Sequence, residues 1–167
     1  MNLIDLLELD LIRTGIRVRQ RDEVVRLLGE ALLDKGLVTP DFIPAVLQRE
    51  DEYPTGLPTQ GMAIALPHTE AQHVRRSCLA VGILEDPVLF HVMGSPDQEI
   101  PVGGVFLLAI ADHDSQVLAL KQLADLFQDG VTLARLAGAS DAARVYEALC
   151  EGVRHLEARA AGVSRAS

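Results

Sequence analysis

The sequence has no uncharged apolar stretch of the length that crosses a membrane, which is about 18 residues. Its first residues, Met1 to Asp5, show neither the basic start nor the long apolar core of a secretory signal. No internal repeat and no linker rich in proline, glycine or serine divides the 167 residues. These absences predict a cytoplasmic protein without direct membrane insertion. We expect one domain over residues 1–156 and a frayed tail, rich in Ala, Arg and Ser, over residues 157–167.

Cysteine is scarce as well. Cys78 and Cys150 both lie in apolar runs, which is typical of buried free thiols in a reducing compartment. No Cys or His spacing indicates a zinc site, and no cluster of carboxylates indicates magnesium. A Gly-Lys-Ser/Thr loop that would bind a nucleotide is also missing. The sequence therefore predicts no metal and no cofactor.

Positive charge is in the minority. The chain has 15 Lys and Arg against 24 Asp and Glu, which gives a formal net charge of -9. This balance disfavours binding to nucleic acid or to anionic membranes, but it suits a basic protein partner. With 49% apolar and 23% charged residues, the composition is that of a globular domain with a sizeable core.

Apolar residues recur at two different periods along the chain. The helical period predicts helices over residues 22–35, 39–49, 114–128 and from 140 or 141 onward. Strands are predicted over residues 11–18, 62–66, 77–84, 88–92 and 104–111. The nearly continuous apolar runs among them suit strands that helices cover on both faces. This interleaving predicts an α/β fold, a single-domain three-layer sandwich in which helices flank a mixed sheet.

Among the five histidines, His68 has an unusual position. It ends the segment Gly61–His68 (GMAIALPH), which is a short predicted strand followed by the stiff Pro67. An imidazole held in this way can offer one nitrogen to solvent while the backbone holds the other. Functional residues often lie at such strand ends. The residues alone leave two interpretations open, a functional His68 and a structural imidazole at a strand end.

The motif and the loop before it resemble a known family. Residues 49–59 (REDEYPTGLPT), followed by residues 61–68, closely resemble the IIA proteins of the fructose–mannitol class in the bacterial sugar phosphotransferase system. The stretch PTGLPT is most similar to the galactitol-type subgroup. The likeness continues through residues 86–88 and 105–109 and the helix from residue 116, and it covers roughly residues 3–150. It implies the fold of the mannitol-type IIA proteins and the activity of a phosphohistidine carrier.

The resemblance also implies roles for particular residues. His68 corresponds to the phosphorylated histidine, and Arg49 to an arginine that balances the phosphoryl charge, since a guanidinium can bond two phosphoryl oxygens at once. Many members have a second histidine, and here Gln116 stands at that position. Either His113, three residues earlier, reaches the site, or Gln116 supplies a neutral amide donor instead.

The implied partners are phospho-HPr as the donor and a cysteine of a cognate IIB component as the acceptor, together with a membrane IIC component. The family resemblance does not identify the sugar. Glu70, Asp112 and Asp114 are candidates for an acidic rim toward a basic partner, or they are ordinary surface acids.

Three other hypotheses stay open. A IIA protein of the nitrogen-related branch would regulate other proteins according to its phosphorylation state. A plain interaction domain would have lost phosphotransfer, and Gln116 is the best support for it. A metal site on His68 and His73 is disfavoured, because cysteines and paired acids are missing around them.

Overall fold

In the computed structural model, which describes residues 2–166 and the side chains of residues 2–162, five strands form one mixed sheet between two layers of helices. The strands are β1 (Leu7–Ile16), β2 (Gly56–Leu57), β3 (Ala63–Ala65), β4 (Cys78–Val92) and β5 (Ser95–Ala109). The helices are α1 (Arg21–Asp34), α2 (Phe42–Glu52), α3 (His113–Leu126), α4 (Gly130–Ala137) and α5 (Ala142–Ala166). The predicted three-layer α/β sandwich is confirmed.

The long hairpin of β4 and β5 forms the centre of the sheet. Its strands are antiparallel, with Cys78 opposite Ala109, and the chain reverses at Gly94, whose φ of 77° suits a residue without a Cβ. Strand β1 runs parallel to β4, and β3 runs parallel to β5. Strand β2 pairs antiparallel with β3 and meets the end of β4. Parallel and antiparallel pairs therefore coexist, as expected for a mixed sheet.

Successive residues of the central strands enter two separate cores, because side chains alternate across a sheet. In β4, Leu79, Val81 and Ile83 pack in the core that α3, α4 and α5 share. Cys78 and Ala80 point the other way, into the core with α1 and α2. Burial on both faces explains why these strands are continuous apolar runs in the sequence.

The structure differs from the predicted elements in three places. Val88–Val92 is not a separate strand, because β4 continues through the exposed Pro87 at a register shift, where no ladder hydrogen bond is required of it. No helix was predicted at Gly130–Ala137, where the 8-residue helix α4 lies. Helix α5 continues past residue 157, where the tail was predicted to begin, and runs to Ala166 in the described residues. Ser167 lies outside them.

The two thiols agree with the sequence prediction. Cys78 and Cys150 are free and buried, and burial raises the pKa of Cys78 to about 12. Within residues 2–166, none of the helices combines the length and the apolar character that crossing a membrane requires.

Candidate functional site

The backbone of Pro67 and His68 is held by the central hairpin. After β3 ends, Leu108 N in β5 donates to the carbonyl oxygen of Pro67 at 3.0 Å. A single parallel bridge then pairs His68 with Leu108. The proline ring restricts the rotation of this segment further. The sheet therefore fixes the position of His68, even though this residue lies beyond the end of the short strand β3.

One nitrogen of the His68 ring is occupied by the backbone. Nδ1 lies 2.8 Å from the carbonyl oxygen of Leu66. A carbonyl only accepts hydrogen bonds, so Nδ1 carries the proton and, in the neutral ring, Nε2 carries the lone pair. Burial lowers the pKa of His68 below its ordinary value of 6.5, the hydrogen bond to Leu66 opposes this, and the charge of Arg49 lowers it further. The net lowering of the pKa favours the neutral ring, which is the form that a nucleophile requires.

His68 opens into a cleft of about 540 Å³ between the segment after β3 and the start of α3. Arg49, His113 and Gln116 line the same cleft. The structure therefore brings all four candidate residues together, although they come from three different parts of the sequence. Val117 and Leu120 add an apolar side to the cleft.

Arg49 enters the cleft from the last turn of α2. Its guanidinium carbon lies 5.2 Å from the centre of the Tyr53 ring, which is a cation–π distance. Its Nε is buried and has no hydrogen-bond partner among the described residues. A buried donor without a partner favours an incoming acceptor, and the fork of a guanidinium matches phosphoryl oxygens.

The first turn of α3 forms the opposite wall. The helix begins at His113, close to its predicted start at residue 114, so Gln116 lies inside the first turn and its backbone N–H donates to Asp112 O at 3.0 Å. The buried side chain of Gln116 donates from Nε2 to the carbonyl oxygen of Thr69 at 3.0 Å. Its amide thus holds the residue that follows His68. His113 is exposed and stands at the edge of the cleft.

The three candidate rim acids separate in the structure. Glu70 is exposed and lines the cleft. The Asp112 carboxylate accepts a hydrogen bond from Ser115 N at 2.9 Å and caps α3, which lowers the pKa of Asp112. Asp114 is exposed on the first turn of α3. Glu70 is therefore the acid of this group that borders the cleft.

The other histidines lie elsewhere. His73 lines a neighbouring cleft that also contains Arg49 and Glu70. Nδ1 of His91 lies 2.8 Å from the carbonyl oxygen of Pro96, as expected of a structural histidine. Within the described residues, His, Cys, Asp and Glu do not form a group of three or more that could hold a metal ion.

Two buried polar residues behind the cleft were missed in the sequence. Glu50 is 2% exposed and Thr55 is 3% exposed. The Glu50 carboxylate accepts from Thr55 N at 2.8 Å and from Thr55 Oγ1 at 2.8 Å. Burial raises the pKa of Glu50. The sequence offered one signal for them, their place in the motif of residues 49–59. The residue type alone predicts that Glu50 is exposed, because an acid near a helix end usually faces solvent.

Comparison with known proteins shows the family to which this chain belongs. The sequence model of the family described as "Phosphoenolpyruvate-dependent sugar phosphotransferase system, EIIA 2" matches residues 5–152. The chain therefore belongs to this family, whose members are phosphotransferase components that carry a phosphoryl group on histidine.

Individual relatives agree with this assignment. The galactitol-specific EIIA component of Escherichia coli (strain K12) is 32% identical over 112 residues, which are 67% of this chain and 74% of that protein. The crystal structure of a IIA protein of this system, PtxA from Streptococcus mutans, superposes with a TM-score of 0.74 at 23% identity and covers 91% of this chain and 95% of its own. The complex of enzyme IIA and phosphorylated enzyme IIB for mannitol from Escherichia coli contains a chain with a TM-score of 0.69 at 25% identity, covering 87% and 97%. The fold and the family resemblance are thus confirmed.

Proposed function

We propose that this chain is a cytoplasmic carrier that accepts a phosphoryl group from phospho-HPr on His68 and passes it to a cysteine of a cognate IIB component. A membrane IIC component would complete the system, with galactitol or a related sugar or polyol as the transported substrate. The observation that carries the proposal is the hydrogen bond from His68 Nδ1 to Leu66 O, because it leaves Nε2 as the nucleophile in a cleft beside Arg49.

In the first step, the lone pair of His68 Nε2 attacks the phosphorus of the donor phosphohistidine in line with the breaking bond. The new N–P bond forms on His68, and the donor imidazole takes back the electron pair of the old one. Charge gathers on the three equatorial oxygens, and the guanidinium of Arg49, which lines the cleft and whose buried Nε has no partner among the described residues, can bond to them. His113, at the edge of the same cleft, is a second candidate donor.

In the second step, a thiolate of the IIB component attacks the same phosphorus and the N–P bond to His68 breaks. Because Nδ1 keeps its proton, the phosphorylated ring carries a positive charge, and Leu66 O stabilises this charge by accepting the hydrogen bond. The ring then leaves as a neutral imidazole with its lone pair again on Nε2. The geometry that makes His68 a nucleophile therefore also makes it a good leaving group.

The surface around the cleft suits transient partners. Val117 lines the cleft and is 55% exposed, and Leu118 beside it is 43% exposed. Short-lived interfaces of this kind are small and need few apolar contacts. That a mannitol-type IIA from Escherichia coli forms a complex with phosphorylated IIB supports a IIB acceptor for this chain as well.

Reconstitution tests both steps. Incubation with labelled phospho-HPr should add one phosphoryl group by intact mass, and the label should be lost in mild acid and kept in base, as for nitrogen-linked phosphate. A galactitol-type IIB protein should then take the label. Failure to acquire label would refute the carrier, whereas label that no sugar-type IIB accepts would favour a nitrogen-type regulator that uses the first step alone.

A further inference from the structure

A chain of buried hydrogen bonds leads from α2 to the backbone beside His68. The hydroxyl of Thr55 donates to the Glu50 carboxylate at 2.8 Å. The same hydroxyl oxygen accepts a hydrogen bond from Leu66 N at 3.1 Å. Because Leu66 N supplies one proton to Oγ1, the hydroxyl's own proton is directed to Glu50, which fixes the orientation of Thr55.

Leu66 is consequently held at both of its backbone polar groups. Its N–H is bound by Thr55, and its carbonyl oxygen receives the proton on Nδ1 of His68. The carbonyl of the next residue, Pro67, is bound by Leu108 N at 3.0 Å. The carbonyl that selects the tautomer of His68 therefore has little freedom to turn away.

We propose that Glu50 and Thr55 are positioning residues for phosphoryl transfer, which orient the Leu66 carbonyl so that the proton stays on Nδ1 of His68 and Nε2 remains the nucleophile. The proposal rests on the function proposed above. It assigns a role to a buried carboxylate that touches neither the His68 ring nor the cleft.

The placement of Glu50 supports a role beyond packing. Glu50 adjoins Arg49 in the last turn of α2, so one turn supplies both the cation in the cleft and the anchor behind it. Burying a carboxylate is unfavourable unless hydrogen bonds compensate, and among the described residues the two groups that donate to Glu50, a backbone N–H and a hydroxyl, both belong to Thr55. The arrangement ties the position of α2 to the orientation of the histidine.

The test compares substitutions of Thr55 with a matched control in the same loop. Thr55→Val removes the hydroxyl, and Thr55→Ser keeps it. Thr59→Val is the control, because the Thr59 hydroxyl also bonds backbone groups, at Met62 O (2.8 Å) and Gly61 N (3.0 Å), without reaching Leu66. The readouts are the ¹⁵N chemical shifts of the His68 ring in the unphosphorylated protein and the rate of transfer from phospho-HPr.

We expect a ring protonated on Nδ1 in the wild type, in Thr55→Ser and in Thr59→Val. Thr55→Val should show a mixture of tautomers and transfer about tenfold or more slowly, since small displacements of a reacting group have effects of this size. A folded Thr55→Val protein with the wild-type tautomer and rate would overturn the proposal.

Two further measurements keep the test decisive if Thr55→Val does not fold. Glu50→Asp retains the charge but withdraws the carboxylate from Thr55. It should also give a mixture of His68 tautomers and slower transfer. A wild-type tautomer and rate in this variant would contradict the proposal. A His68 ring that is protonated on Nε2 in the wild-type protein would contradict the proposal without any variant. The tautomer is measured in the absence of a phosphoryl donor. A wild-type protein that accepts no phosphoryl group would therefore refute the proposed function without bearing on the tautomer.

Discussion

The two walls of the cleft are built in different ways. On the His68 wall, His68 is 8% exposed, and its ring is anchored through Leu66 to a buried network. On the α3 wall, His113 and Val117 are exposed. One described hydrogen bond, from Gln116 Nε2 to Thr69 O, ties the α3 wall to the segment after His68.

This contrast corresponds to two demands of a carrier. A nucleophile gains most from a fixed geometry, because misplacement of the reacting atom by about 1 Å can slow a reaction a hundredfold. A surface that must contact two different partners gains from side chains that can adapt. We therefore expect substitutions on the His68 wall to have larger effects than substitutions on the α3 wall.

The largest effect is expected at the nucleophile. His68→Gln should abolish phosphoryl acceptance, because the amide has no lone pair that can attack phosphorus. Intact mass after incubation with phospho-HPr measures the outcome. His155→Gln, an exposed histidine on α5, should label like the wild type. Full labelling of the His68 variant would assign the chemistry to another residue.

The next effect is expected at Arg49. Arg49→Ala should slow transfer about a hundredfold while the protein stays folded, because loss of one preorganised charge donor costs about 3 kcal/mol in the transition state. Arg49→Lys should recover part of the rate, since it keeps the charge but not the fork geometry. The rate of label passage from HPr to the IIB partner is the measurement. An unchanged rate in the alanine variant would place the required charge on His113 or on the partner.

A smaller effect is expected on the α3 wall. Gln116→Ala removes the donor to Thr69 O and should slow transfer by about tenfold or less, since a hydrogen bond of this kind contributes about 1 kcal/mol. Gln116→His should be tolerated, because an imidazole N–H can donate in its place. Transfer rates of the two variants, compared with Arg49→Ala, check the order. A loss at Gln116 as large as that at Arg49 would remove the contrast between the walls.

The smallest effect concerns pH. A histidine with the ordinary pKa of 6.5 would lose about fourfold of its neutral form between pH 7.5 and 6, whereas His68, whose pKa is lowered by burial and by Arg49, should lose less. In Arg49→Ala the pKa of His68 should rise and the acid limb should move to higher pH. Initial rates across this range provide the measurement, and identical profiles for both proteins would contradict the assigned cause.

The same shift has a consequence for stability. Below pH 6.5 the unfolded chain binds a proton at this histidine, while folded His68 stays neutral until its lower pKa is reached. His68 therefore lowers the free energy of unfolding as the pH falls between these two values. Urea denaturation at several pH values should show that the free energy of unfolding depends less on pH in His68→Gln than in the wild type.

Some features were readable from local pattern. The apolar runs at residues 77–84 and 104–111 predicted strands covered on both faces, and β4 and β5 contain them. The motif that ends at His68, with Arg49 before it, identified the cleft residues by resemblance. Helix α4 was not predicted, because its 8 residues contain too few turns to show a clear helical period.

Periodicity, turns and the burial of β4 and β5 on both faces are visible as patterns among residues close in sequence. They can therefore be predicted from the sequence alone. The burial of His68 and Glu50, the hydrogen bond from Leu108 N to Pro67 O and the meeting of Gln116 with Thr69 depend on contacts between distant segments. Such contacts exist only after α2, β5 and α3 have packed around the segment that contains His68. Burial in that packed state also sets the pKa of His68, because desolvation is a property of the surroundings and not of the residue.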